Sequence, residues 1–211
     1  KANNSEKTSV NFRHPRIKTE NFYTKEQNKV NQFITKLNQQ KIQNLETITD
    51  IVQIGIGGSF LGPKFICHAI KSYCISLNIP ITRKAHFLSH LDPSEFETLI
   101  KNINPKTTLF LLVSKTGTTM ETISNLDLLK NWWKQQQLPN NKLADHCIAL
   151  TTKDSYLDNP KIATHQFYID KNIGGRFSLS TVIGTTIIGL CFSINYTKEI
   201  LEGMFLMDQN A

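Results

Sequence analysis

From Thr49 onward, short apolar runs alternate with segments of helical periodicity, and this alternation constrains the fold more than any other feature of the chain. "DIVQIGIG", "KAHFLSH", "TTLFLLVS", "HCIALTT" and "HQFYI" read as strands. Between them lie "FLGPKFICHAIKSYCIS", "PSEFETLIKNI" and "TMETISNLDLLKNWWKQQQ", which carry apolar residues at helical spacing. Pro63 falls in the first turn of the first of these, where its missing N–H breaks no helical bond. "SLSTVIGTTIIGLCFSI" reads as an apolar, buried helix, and "TKEILEGMFLMDQ" as a further one. Strands alternating with helices predict an α/β fold, a three-layer α/β/α sandwich around a mainly parallel sheet. "TLFLLV" is apolar at every position, as a strand covered on both faces should be.

Upstream the pattern differs. Residues 1 to about 25 are polar, rich in Asn and Lys, and read as an irregular lead-in. Val30, Phe33, Ile34 and Leu37 then recur at helical spacing and predict an amphipathic helix over about 25–40. The expected organisation is a lead-in over 1–47 followed by one α/β domain over 48–211, a length that sustains a full core.

The formal net charge of +7 has two readings, a solvated lysine-rich surface or attraction to anionic partners. The lysines are scattered (Lys7, Lys36, Lys71, Lys101, Lys142 and others) with no basic block, which favours the first. No aromatic and basic stripe suggests a nucleic-acid partner. Cys67, Cys74, Cys147 and Cys191 are widely spaced, without a CxxC or a zinc-like pattern. Cys67-His68 reads as a core cysteine beside a surface histidine rather than a metal pair. No segment resembles a signal peptide, and no apolar run approaches the ~20 residues of a membrane span. The expectation is a reduced, cytoplasmic protein with no membrane partner. A chain beginning with Lys rather than Met is expected to be a processed product or an excised fragment.

In parallel sheets ligands bind at the carboxyl ends of the strands, so the loops after Ile54, His90, Val113, Thr151 and Ile169 carry the functional information. The loop after the first strand is Gly55-Ile56-Gly57-Gly58-Ser59. Its glycines allow close approach of backbone to a ligand, with the amides of the next helix pointing at it. It is not a dinucleotide fingerprint, since Phe60 replaces the last glycine of GxGxxG, nor a Walker A loop, since Pro63 separates Gly62 from Lys64. A tight turn into a helix is the competing reading.

After the third strand the chain reads Ser114-Lys115-Thr116-Gly117-Thr118-Thr119. Ser114, Thr116, Thr118 and Thr119 offer hydroxyls, and the following helix offers free amides at the positive end of its dipole, a donor set suited to a phosphate monoester. Thr118-Thr119-Met120-Glu121 also matches a capping box, which accounts for Thr118 and Glu121 without a ligand but not for Ser114 and Thr116. The third loop, Gly174-Gly175-Arg176, places a permanent cation beside unhindered backbone before "FSLSTVIG". A structural ion pair is its competing reading.

"GIGGSFLGP", "SKTGTTMET" and "GGRFS", in that order, resemble the motifs of the glucose-6-phosphate isomerase (phosphoglucose isomerase) family. The middle motif is similar to that of the wider sugar isomerase (SIS) domain class, and the first and third are particular to phosphoglucose isomerases. The resemblance covers about residues 48–211. It implies an SIS domain, with the substrate phosphate held by Ser114, Lys115 (through its backbone amide), Thr116 and Thr119. Gly57, Gly58 and Ser59 lie against the sugar, beside Gly175. Arg176 stabilises the enediolate intermediate, and Glu121 lies near the ring-opening histidine, although capping remains open for it. The implied reaction interconverts glucose 6-phosphate and fructose 6-phosphate through a cis-enediol, in glycolysis and gluconeogenesis, with no cofactor and no metal. The implied assembly is a homodimer. The family's catalytic glutamate, ring-opening histidine and C-terminal lysine match nothing here, so a second SIS domain is expected beyond Ala211 and the chain alone is expected to be inactive. A non-catalytic SIS module sensing a sugar phosphate is the alternative, against which "GGRFS" argues. A related isomerase also acting on mannose 6-phosphate is the other.

Overall fold

The structure, a computed structural model, describes residues 22–45, 47–139 and 142–210. The expected irregular lead-in falls mostly on residues 1–21, outside the described residues. The strands are β1 (Asp50–Ile54), β2 (Lys84–Leu88), β3 (Thr108–Val113), β4 (Cys147–Thr151) and β5 (His165–Tyr168). The helices are α1 (Phe22–Asn38), α2 (Leu61–Ser76), α3 (Pro93–Ile100), α4 (Met120–Gln135), α5 (Val182–Cys191) and α6 (Ile194–Gln209). The strands form one sheet in the order β2-β1-β3-β4-β5, with every pair parallel. The expected α/β fold with a parallel sheet is thus observed.

Alternation along the strands sorts the core into two halves, because successive side chains point to opposite faces. Ile51, Leu109, Leu111, Val113, Ile148 and Leu150 pack on one face with Val30, Phe33 and Ile34 of α1, Cys67 and Ile70 of α2, and Ile183 and Ile187 of α5. Val52, Ile54, Phe110, Leu112 and Ala149 pack on the other with Phe96 of α3 and Leu126, Leu129 and Trp133 of α4. β1, β3 and β4 are buried at every position, as strands covered on both faces should be, and in β1 this burial includes the polar Asp50 and Gln53. Cys67 is buried and His68 exposed, as read from the sequence, and the other three cysteines are also buried.

Helix α1 begins earlier than the sequence pattern indicates, at Phe22, and its Glu26 is buried. Glu26 Oε2 accepts the Tyr168 amide at 2.9 Å, so the carboxylate occupies a donor on the edge strand β5. The single apolar helix expected over "SLSTVIGTTIIGLCFSI" is divided. Gly175–Ser180 forms a 3₁₀ turn, α5 starts at Val182, and a break at Phe192 and Ser193 precedes α6. The physical reason is side-chain capping: Thr181 Oγ1 accepts from the Ile183 amide, and Ser193 Oγ from that of Tyr196. Among the described residues no helix is long and apolar enough to cross a membrane.

Candidate functional site

β1 has β2 on one side and β3 on the other, so the chain direction across the sheet reverses between β1 and β3. A crevice opens at such a switch point, at the carboxyl ends of the two strands. Ile54 is in register with Leu112, which brings the glycine loop after β1 beside the hydroxyl loop after β3. The fold places two of the three sequence motifs there for that reason alone.

The third motif comes to the first by direct backbone contact. A methyl group on Gly58 would overlap the carbonyl oxygen of Gly175, so only hydrogen fits between them. Ser178 Oγ donates to Gly58 O at 2.8 Å and locks the contact. Gly57 has a different constraint: its φ of +59° lies in the left-handed region, with open space around it. Gln53, buried in β1, donates its amide to Ser59 O at 2.7 Å and supports the loop from below.

In the hydroxyl loop Ser114 is buried and acts as a hub. Its Oγ lies 2.7 Å from Thr119 Oγ1 and 3.5 Å from Thr116 Oγ1, and accepts the Gly117 amide at 3.1 Å. The capping-box alternative is not what forms. The N-cap of α4 is Thr119 rather than Thr118, and no side chain caps the helix. Thr118 instead turns to Thr116, its Oγ1 donating at 3.2 Å. The first-turn amides of α4 therefore have no side-chain acceptor, and an uncapped N-terminus with hydroxyls in front of it attracts an anion. Among the described residues the amides of Lys115 and Thr116 likewise donate to no protein acceptor.

Arg176 stands exposed in the 3₁₀ turn, with its guanidinium carbon 5.9 Å from the Phe177 ring centre. It forms no ion pair among the described residues, so the structural ion-pair alternative finds no partner there. Glu121 lies in the first turn of α4, half-buried, at the same end of the sheet. Its carbonyl accepts from Asn125 Nδ2, which also donates to His90 O at 3.0 Å and so ties the loop after β2 to α4.

A shell of supporting residues was not singled out from the sequence. Thr151 Oγ1 donates to Ser114 O at 2.6 Å, and Thr152 Oγ1 to Lys115 O at 2.8 Å. Thr151 also pairs with Ser155 at 2.7 Å, so the loop after β4 buttresses the hydroxyl loop. The signal available was weak: two threonines at a strand end, and one glutamine inside an otherwise apolar strand. Among the described residues no group of three or more His, Cys, Asp or Glu is placed to hold a metal ion.

Comparison with known proteins identifies the family. The family model for phosphoglucose isomerase matches residues 16–211, reaching further towards the N-terminus than the three motifs do. The chain is 37% identical over 193 residues to a glucose-6-phosphate isomerase of Borreliella burgdorferi (strain ZS7), covering 90% of this chain and 36% of that protein. It is 34% identical over 189 residues to one from Treponema denticola, covering 89% and 34%. Its fold is similar to the crystal structure of a glucose-6-phosphate isomerase from Chlamydia trachomatis, with a TM-score of 0.82 and 27% identity over 95% of this chain and 38% of that one. The chain thus spans about a third of the length of the curated relatives it matches. On the family match, the sequence identity and the shared fold together, the chain belongs to the phosphoglucose isomerase family.

Proposed function

We propose that residues 48–211 form an SIS-type sugar-phosphate-binding domain, preceded by a lead-in segment carrying α1. The domain belongs to an isomerase that interconverts glucose 6-phosphate and fructose 6-phosphate. The observation that carries the reading is the hydroxyl cluster of Ser114, Thr116 and Thr119 in front of an uncapped helix, with Arg176 brought to the same face by the Gly58–Gly175 contact.

The chemistry follows from the donors. The phosphate dianion takes hydrogen bonds from Thr116, Thr119 and the amides of Lys115 and Thr116, while Ser114 orients the other hydroxyls. Gly57, Gly58, Ser59 and Gly175 present backbone to the sugar. Isomerisation moves a proton from C2 to C1, and as the proton leaves C2 negative charge grows on the enediolate oxygens. The Arg176 guanidinium, free of any carboxylate among the described residues, stabilises that charge. The Glu121 carboxylate, in the first turn of α4, is assigned to hold the ring-opening imidazole. The carboxylate that carries the proton, the imidazole and a second SIS domain come from polypeptide outside these residues. A cis-enediol path requires no redox cofactor, and the active assembly is a cytoplasmic homodimer.

The test is a titration with glucose 6-phosphate and with glucose. The phosphate ester should bind and the free sugar should not. Each hydroxyl bonded to a dianion contributes about 1.5–3 kcal/mol, so Thr116→Ala combined with Thr119→Ala should weaken binding at least about a hundredfold. Equal binding of glucose and its phosphate would remove the cradle reading.

A further inference from the structure

Arg176 lies on a short stretch whose two ends are both clamped. Downstream, Ser178 Oγ holds Gly58 O at 2.8 Å. Upstream, the Lys115 ammonium donates to Ile173 O at 2.9 Å, across from the hydroxyl loop. Only Gly174 and Gly175 separate Ile173 from Arg176, so their Cα atoms lie within about 11 Å of one another. Ile173 is itself buried, so its carbonyl is a fixed point rather than part of a mobile loop.

The other end of the clamp is equally fixed. Lys115 O accepts both the amide of Thr152, at 3.3 Å, and its hydroxyl, at 2.8 Å. Lys115 is half-buried, and its ammonium has no carboxylate partner among the described residues. A lysine serving solubility would extend into water. This one crosses from the phosphate loop to the arginine loop and ends on a carbonyl.

We propose that Lys115 is a positioning residue, whose ammonium on the Ile173 carbonyl sets the distance between the phosphate cradle and Arg176. This rests on the isomerase reading given above and adds a role to a side chain that the reading uses only through its backbone amide. Among the described residues Arg176 forms no ion pair, and its one side-chain contact is the adjacent Phe177 ring, so its placement depends on the backbone at either side. A phosphate bound in the cradle is thereby registered against the guanidinium that meets the enediolate.

The experiment compares two ligands on the intact protein by calorimetry. One is a phosphorylated five-carbon sugar acid, whose carboxylate carries the charge of the enediolate. The other is a hexitol phosphate, which has the phosphate and no such charge. Lys115→Met should weaken the sugar acid about tenfold and the hexitol phosphate less than about twofold. In an Arg176→Ala background Lys115→Met should produce no further loss, because both changes remove one interaction. Lys115→Arg keeps a donor and should restore most of the affinity. Lys115→Gln keeps a polar stem too short to reach Ile173 and serves where the Met variant fails to fold. Equal losses for the two ligands would overturn the proposal and make Lys115 a phosphate anchor. Additive losses in the Arg176→Ala background would overturn it as well. If Arg176→Ala itself weakens both ligands alike, the isomerase reading of Arg176 falls, and the positioning role with it.

Discussion

Gly57 and Gly58 are neighbours that exclude a side chain for different reasons, and this makes Gly58→Ala a sharp test of how the site is assembled. The new methyl would overlap the carbonyl group of Gly175 and lie 3.1 Å from the Arg176 amide nitrogen. Both are backbone, so no rotamer change relieves the clash. Restoring ordinary contact requires the two loops to part by more than about 1 Å. Forced displacement of packed groups costs about 1–3 kcal/mol. Loss of the Ser178–Gly58 hydrogen bond adds about 0.5–1.5 kcal/mol. The expected destabilisation is therefore about 2–4 kcal/mol, a large part of a domain's usual stability. Gly57→Ala meets no neighbour and bears only the left-handed backbone penalty at φ +59°, about 1–2 kcal/mol. Urea unfolding of both variants, with unchanged slopes, measures the difference. Because the loops that part carry Arg176, Gly58→Ala should also weaken binding of a phosphorylated sugar acid more than Gly57→Ala does. A Gly58→Ala protein within about 0.5 kcal/mol of wild type, or less affected than Gly57→Ala, would refute the close packing of the first and third motifs.

The proposed function predicts that, in the full-length protein, Arg176→Ala lowers kcat much more than it raises KM, since a cation serving the enediolate matches it better than the ground state. Steady-state kinetics decide, and a raised KM with unchanged kcat would make Arg176 a substrate anchor. A second expectation concerns acid stability. Burial holds the His165 pKa below the usual histidine value, against a rise from Asp145 and with a further lowering from Lys36. The unfolded chain then binds the proton more tightly than the folded one, so stability is full above about pH 6.5 and declines as pH falls through the lowered folded value. His165→Phe, which can keep the edge contact with Phe33, should flatten that part of a urea midpoint series between pH 8 and pH 5. An unchanged slope would exclude His165 as its source.

The elements of this fold were legible because their signals are local. A six-residue apolar run such as "TLFLLV" is consistent with little else than a buried strand, and it forms β3 over the residues the pattern indicates. Where two local signals competed, the apolar run outweighed the hydroxyl. Thr181 and Ser193 lay inside what read as one apolar helix, yet each caps a separate one. The reverse error occurred at Thr118, where a spacing typical of a capping box occupies a loop whose hydroxyls bond one another. The contacts that assemble the site were hidden for a more general reason. Which loops meet depends on the strand order β2-β1-β3-β4-β5, and alternation of strands and helices is compatible with other orders.

The supporting shell is also written in a form that sequence patterns do not reveal. Gln53 holds Ser59 O, Thr151 holds Ser114 O, Thr152 holds Lys115 O, Lys115 holds Ile173 O and Ser178 holds Gly58 O. In every case a side chain grips a main-chain carbonyl, and any residue type supplies the acceptor. The donor's identity is constrained while its partner's is not, so no pair of residue types marks the contact. What does remain visible is the requirement for absent side chains, at Gly58, where a methyl would overlap the Gly175 backbone, and at Gly57, with its positive φ. The motifs that identify the family are therefore the loops that need special backbone, whereas the residues that hold those loops in place look like ordinary strand-end threonines and a surface lysine. This asymmetry predicts where substitutions will mislead. A Thr152→Val or Lys115→Met change looks conservative or peripheral in the sequence, yet each removes the donor from a carbonyl beside the candidate site.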